Sequence, residues 1–477
     1  MSSQLLAGVG RVNITPPIGV DLTGTSRRWA PANGIHQDLF ATCLVLSTGE
    51  DSIALIDCDL LGIPDPTAAE WRARVGAIIG SDGSHVLLAC THTHHGPATS
   101  IHMPKIGGDQ TQFRDEELAY LANLGYQLES AARLAVAQLQ PARLAAGSGT
   151  SDLNINRREL LENGKVAIGR NFSGPNDPEV KVLRVDTEAG ASLATIINFT
   201  SHPALSATLC RLVSSDFYGT ARDVVEQLTG ATPLYFNGAA GDIITLDYLY
   251  NDTSVVENVG RQLGCEAARV YCGINTQPTE PSIEFEQSVS SLKLYRNAPI
   301  DRPPITHFQV LNRHLELELQ PLPSLAEAEA ILAEKHQVLQ ELREKNERNG
   351  VINPFIYQKL WAQKLVDDLK AGTARTTAQA EIQAIRLDDI AFVAIPGEAF
   401  VQIALDIKAQ SPFTHTFVVA YANGALGYIP MRDDYPKGGY EVENAFKGYG
   451  YPSALAPGAA ELIVETGVAL LHELAED

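Results

Sequence analysis

Seven short runs rich in Val, Ile and Leu, each bounded by Gly, Pro, Asp or Ser, constrain the fold of this chain most. They are Ala41–Leu46, Ser52–Ile56, His85–Cys90, Lys181–Val185, Leu193–Ile197, Ile390–Ile395 and Thr416–Ala420. Runs this short that do not alternate with polar residues read as strands buried on both faces. Between them, Glu116–Leu139 and Ser215–Leu228 repeat apolar residues at three- and four-residue steps, the period of helices packed along one side. Strands interleaved with helices predict an α/β, mixed α+β architecture, with buried mixed sheets and flanking helices. No internal repeat or low-complexity linker divides the 477 residues, so a single domain over 1–477 is expected.

One region breaks the pattern. Leu325–Lys345 is Ala-, Leu- and Glu-rich, and Pro354–Lys370 follows an Asn/Gly/Pro break. The pair predicts a helical hairpin inserted over about 321–372. A solvated surface hairpin, a lid over a site and an oligomer contact all remain open for it.

Composition excludes several functions. Asp and Glu number 57 against 36 Lys and Arg, a formal charge of −21. With no Lys/Arg cluster, nucleic acid is not an expected partner. No segment approaches the ~20 apolar residues of a membrane span, and the first residues, MSSQLLAGVGRVNITPP, lack the basic and apolar regions of a signal peptide. The six cysteines form no CxxC pair, so they are expected to be reduced and inert. A cytoplasmic protein without stable membrane association follows as the expectation, and self-association is left open.

The chemistry concentrates at strand ends. Three of the 12 histidines crowd into Thr91-His92-Thr93-His94-His95-Gly96-Pro97, directly after the run HVLLAC. In extended chain, residues two apart face one side, so His92 and His94 are expected to project together and His95 away. Two imidazoles aimed at one spot suit a divalent metal, most often zinc, and a metal needs more distant ligands. His202, in Asn198-Phe199-Thr200-Ser201-His202-Pro203, ends another strand and is the best-placed third ligand. Glu398, in Ile395-Pro396-Gly397-Glu398, ends a third; a helix-dipole or capping role competes with ligation there. Asp242 opens a Gly-rich turn, and Asp57 and Asp59 are expected to support the histidines from behind. The loop Tyr421–Tyr440 is Gly-rich and carries tyrosines 421, 428, 435 and 440; a loop of this length is uncommon in a compact domain and often functional, with a structured surface loop of packed tyrosines as the alternative.

Taken in order, these segments resemble the neutral/alkaline ceramidase family of zinc amidases. GVGRVNITPPIGVDLTG resembles the family's opening motif, THTHHGP its metal-binding THTHSGP, and SDLNINRR its NxNRSP-type segment. INFTSHP with LVSSDFYG, IRLDDIAFVAIPGE and YANGALGYIP complete the set, over about residues 8–450 with a poorly matched middle near 284–375. The resemblance implies Zn²⁺ held by His92, His202, Glu398 and Tyr428. It further implies His94 and Tyr440 beside the scissile carbonyl, and Arg157 as a substrate-anchoring cation. It departs at Ile244, which stands where the family's ceramidases carry a serine. The signal peptide and C-terminal β-sandwich of the secreted ceramidases are also not expected here.

The resulting expectation is a zinc-dependent amidohydrolase acting on a carbon–nitrogen bond other than a peptide bond. Its substrate would be a small soluble N-acyl or cyclic amide, with metal-bound water rather than a side chain as nucleophile. A zinc-dependent esterase or lactonase, a ceramidase proper and a non-catalytic zinc-stabilised scaffold are the alternatives.

Overall fold

A computed structural model of the chain describes residues 4–100, 113–205, 210–247, 252–287, 292–300 and 307–476. Three sets of four strands carry the architecture. The first is β1 (Leu6–Asn13), β2 (Phe40–Ser47), β3 (Ser52–Cys58) and β4 (Val86–Cys90). The second is β5 (Gln140–Thr150), β6 (Glu179–Thr187), β7 (Ser192–Phe199) and β8 (Thr232–Asn237). The third is β9 (Phe308–Glu318), β10 (Thr377–Leu387), β11 (Ile390–Ala394) and β12 (His415–Val419). All seven runs singled out in the sequence are strands of these sets.

Each set is wired alike. Its first three strands pair antiparallel in order, and the fourth joins the third in parallel. Parallel neighbours need a crossover, and a helix supplies it each time: Asp65–Ile78, Phe217–Thr229 and Val401–Gln410. Sets one and two join through Leu6↔Pro141 and Ala7↔Gln140 into one eight-stranded sheet, while set three stays a separate four-stranded sheet. The chain is therefore built from three copies of one structural unit. The repeat is one of strand pairing.

Both faces of the sheets are covered. Leu55 and Leu87, Ile196 and Phe236, and Phe392 and Phe417 bring the three units into one shared apolar cluster. Within it Phe392 stacks on Phe417 at 4.7 Å and meets the edge of Phe236 at 6.4 Å. Helices cover the outer faces, Asp115–Ala137 and Ala459–Glu476 among them. Burial on both sides is why these strands do not alternate apolar with polar. Cys43, Cys58 and Cys90 sit inside the sheets as free thiols, and burial pushes all three up. Among the described residues no helix is long and apolar enough to cross a membrane.

The wiring also fixes what meets at the C-terminal ends of the parallel strands. Val12 lies level with Ala41, Cys58 and Cys90 across the first unit, so the connection from first to second strand leaves at that same end. The same holds in the other two units. Three long connections, 14–39, 151–178 and 319–376, thus surround the ends of β4, β8 and β12. The third contains the expected hairpin, as helices Leu325–Glu344 and Asn349–Ala371. Its second helix starts ahead of Pro354, which is accommodated in the second turn.

One expectation is corrected here. Asp57 and Asp59 do not support the histidines; both face Arg222 of the crossover helix, at 3.1 and 2.5 Å. Asp59 also accepts from Thr91 Oγ1 at 3.2 Å, and Tyr235 N donates to Asp57 at 3.0 Å. Two buried carboxylates need a buried cation, and Arg222 supplies it.

Asp216 gives a pH prediction. It heads the helix Phe217–Thr229, accepting from Phe217 N at 2.7 Å and Leu205 N at 3.2 Å. Burial outweighs these bonds and lifts its carboxyl to about 7. The folded state then holds a proton that the unfolded chain releases near pH 4. Stability is expected to fall as pH rises from about 4 to about 7. Asp216→Asn should flatten that slope, and urea titrations at several pH values will measure it.

Candidate metal centre

His92 follows β4 by two residues, and its backbone takes a left-handed φ of 67°. This conformation is sparse for a residue with a side chain and persists where surrounding contacts impose it. Here His92 N donates to Leu60 O at 2.9 Å, and the ring nitrogen Nδ1 sits 2.7 Å from Leu61 O. Tyr421 follows β12 by two residues, the same place in the third unit, and it too is left-handed at φ 57°. The two rings stack at 4.2 Å and 26°. The centre thus contains a repeat-related pair, one imidazole and one phenol.

His202 arrives from the second unit, just past β7. A parallel bridge to Ile244 fixes its backbone, and its Nδ1 lies 3.0 Å from Ala240 O. Glu398 arrives from the third unit, past β11. It lies in a two-residue parallel bridge, Glu398–Ala399 against Tyr428–Ile429, which sets Glu398 directly beside Tyr428. The helix Val401–Gln410 begins after Phe400 and takes its capping bond from Asp242, through Val401 N at 2.7 Å. Asp242 is thus the capping residue, and Glu398 is free of that duty. Asp242 also accepts from Asn156 at 2.9 Å, and burial raises its carboxyl to about 7.

Four side chains converge. His92 Nε2 lies 3.2 Å from His202 Nε2 and 3.4 Å from His94 Nε2. Glu398 Oε2 lies 3.2 Å from His92 Nε2 and 3.7 Å from His202 Nε2. His92, His94 and His202 form a group able to hold a metal ion. His92 and His202 with Glu398 form an overlapping one. His95 turns away, its Nε2 3.9 Å from Asp216, as alternation predicts. His92 and His94 do project together, although the left-handed turn at His92 brings this about in place of extended chain.

The arrangement fits a cation. Each Nδ1 of His92 and His202 faces a carbonyl oxygen, which only accepts, so both rings donate there and turn Nε2 to the centre. A metal ion between the two Nε2 atoms, 3.2 Å apart, would take a lone pair from each. Glu398 Oε2 is buried and accepts no hydrogen bond among the described residues. Burial, with Arg157 and the neighbouring imidazoles, holds His94 and His202 well below the usual histidine range, so both rings are neutral. Burial acts to raise Glu398, but His92, the Tyr449 hydroxyl and Arg157 outweigh it and keep the carboxyl below its ordinary value.

The rim holds the remaining expected residues. Arg157 Nη2 donates to Tyr428 Oη at 2.9 Å, and Arg157 Nε to Glu441 Oε1 at 2.9 Å. Arg158 Nη1 binds the other Glu441 oxygen at 2.7 Å. Burial raises Tyr428 well above the usual phenol range, and Arg157 opposes that rise. Tyr440 opens a one-turn helix, Tyr440–Glu443, with its ring 5.8 Å from that of Tyr428 and half exposed. Ile244 is fully buried beside His202 and offers no hydroxyl.

Two residues at the centre escaped the sequence reading. Tyr421 belonged to the noted tyrosine loop but had no role. Tyr449, which hydrogen-bonds Glu398 Oε1, lay outside that loop and carried no signal at all.

Fold and site together define a mixed α/β protein with a buried imidazole–carboxylate centre at the ends of parallel strands. More narrowly, the chain belongs to the neutral/alkaline non-lysosomal ceramidases, whose N-terminal family model matches residues 5–280. It is similar to a neutral ceramidase of Pseudomonas aeruginosa, 29% identical over 221 residues, 45% of this chain and 32% of that protein. The match thus spans about a third of the relative's length. The crystal structure of neutral ceramidase from Pseudomonas aeruginosa shares the fold, with a TM-score of 0.64 at 19% identity over 99% of this chain and 75% of the other. A ceramidase complexed with C2 aligns equally well, with a TM-score of 0.64 at 17% identity over 99% and 76% of the two chains.

Proposed function

We propose that this chain is a zinc-dependent hydrolase of an amide bond in a small N-acyl or cyclic amide compound. The observation that carries the reading is the convergence of the His92, His94 and His202 Nε2 atoms with Glu398 Oε2, an oxygen that accepts no hydrogen bond among the described residues. Ligand atoms around tetrahedral zinc, each at about 2.0–2.1 Å, stand about 3.3 Å apart. The separations among His92, His202 and Glu398, 3.2, 3.2 and 3.7 Å, suit that geometry. Nitrogen donors with one carboxylate favour zinc over magnesium or calcium. His92, His202, Glu398 and Tyr428 would hold the ion. When bound, it supplies Lewis acidity that polarises a carbonyl and makes water a stronger acid.

The chain's own residues do the rest. His94, held neutral by burial, accepts a proton at its ring nitrogen as the carbonyl is attacked and passes it to the departing nitrogen. Tyr440 donates its phenolic proton in a hydrogen bond to the carbonyl oxygen as negative charge develops there. Arg157 donates to the Tyr428 oxygen and is itself held by Glu441, which makes it a positioning cation as well as an anchor for a polar substrate end. With Ile244 beside His202, no serine hydroxyl serves as nucleophile at that position.

The relative's name favours a second reading, hydrolysis of ceramide itself. One experiment separates the two. Metal-replete protein is offered detergent-dispersed long-chain ceramide, short N-acyl amines, lactams and the matched esters at equal concentration. The small amides are expected to give the highest kcat/KM. Ceramide ahead by more than about tenfold, a margin of 1.4 kcal/mol, makes the protein a ceramidase proper. Esters ahead by the same margin make it an esterase.

A further inference from the structure

The helical hairpin lies outside the residues matched by the family model. Its place in the third unit is that of the 14–39 and 151–178 connections in the other two, and residues from both of those reach the centre. The hairpin reaches it indirectly. Asn353, nearly fully buried on its second helix, donates from Nδ2 to Arg28 O at 3.0 Å. Gly350, one turn earlier, packs against the backbone of Arg27, where a Cβ would stand 2.6 Å from the carbonyl oxygen. The hairpin thus presses on the 23–29 turn of the first connection.

That turn grips His94. The Arg28 side chain is fully buried, and Nη2 donates to His94 O at 2.9 Å. Nη1 and Nε bind Thr23 O at 2.8 Å and Cys210 O at 3.0 Å, tying three segments together. Gly24, at φ 96°, lies against the imidazole itself, and a Cβ there would stand 2.5 Å from His94 Cγ. Backbone and ring of His94 are therefore both fixed by a turn that the hairpin clamps.

We propose that the hairpin is a positioning device for His94, acting through Asn353, Arg28 and Gly24. It is neither a solvated ornament nor a substrate-contacting cover. The activity part of the test rests on the hydrolase reading above; the placement of the ring does not.

The test uses the full chain with Asn353→Ala, Gly24→Ala and a control, Lys364→Ala, an exposed position on the same helix. Asn353→Ala is expected to lower kcat on the order of tenfold, the worth of one buried hydrogen bond, with KM and metal content unchanged and Tm slightly lowered. Gly24→Ala is expected to lower kcat about a hundredfold with metal retained, because it displaces the ring. Lys364→Ala should match the parent. Independently of activity, ¹³C-labelled histidine Cε1 resonances are recorded in metal-free protein. His94 should shift in Asn353→Ala and Gly24→Ala, while exposed His472 stays put. An unmoved His94 resonance overturns the proposal, as does a raised KM at unchanged kcat. If His94 shifts but no variant and no parent hydrolyses any amide, the positioning stands and the hydrolase reading falls.

Discussion

Replacing His92 with alanine is expected to remove the metal and the activity together. His92 is the hub of the centre, 3.2 Å from both His202 Nε2 and Glu398 Oε2 and 3.4 Å from His94 Nε2. Without it the proposed set of His202, Glu398 and Tyr428 loses the nitrogen donor that stands 3.2 Å from both of the first two. The local fold should survive, because the backbone bond from residue 92 to Leu60 O does not depend on the ring. Elemental analysis beside turnover assays on the purified variant will decide. Full occupancy with normal turnover would place the catalytic centre elsewhere. Glu398→Gln should show a graded version, with weakened binding, since a neutral amide oxygen is a poorer donor than a carboxylate.

His94→Ala is expected to separate what His92→Ala joins. Acid–base groups typically contribute about 10²–10⁴-fold, so most of the rate should go while metal content stays near that of the parent. Geometry alone leaves His94 two roles, for its Nε2 belongs to the three-histidine group as well as to the rim. In the proposed ligand set His92, His202, Glu398 and Tyr428 hold the ion without His94. A fall in metal content equal to that of His92→Ala would make His94 a ligand and leave Tyr440 as the only assigned proton donor.

The strands were legible because burial on both faces leaves a composition signal: every Val/Ile/Leu run proved to be one, to within a residue or two at each end. The histidines at the ends of β4 and β7 and the carboxylate past β11 were legible because strand ends collect polar residues that a core would reject. Tyr428 came from family resemblance alone, since nothing in its spacing sets it apart from Tyr421 or Tyr435. Other features were out of reach for a common reason: pairing between distant segments leaves no local mark. The threefold wiring is one case, with Cys58, Phe199 and Ala394 sharing a structural position and no chemistry. Asp57 and Asp59 are another, because Arg222, their partner, lies 165 and 163 residues away. Tyr449 reaches Glu398 across 51 residues by a single hydrogen bond.

The distribution of the proposed ligands among the three units bears on how the protein assembles. His92 belongs to the first unit, His202 to the second, Glu398 and Tyr428 to the third, so no stretch of unfolded chain presents even two of these donors close together. A cation at this centre has nothing to grip until all three units have docked. Its affinity belongs wholly to the finished structure, and occupancy raises stability by mass action, about 2.7 kcal/mol at a free concentration a hundred times Kd. The ion would then act as a late fastener, drawing the equilibrium toward complete assembly, and a chelator would loosen the seams between units before it disturbed any one of them.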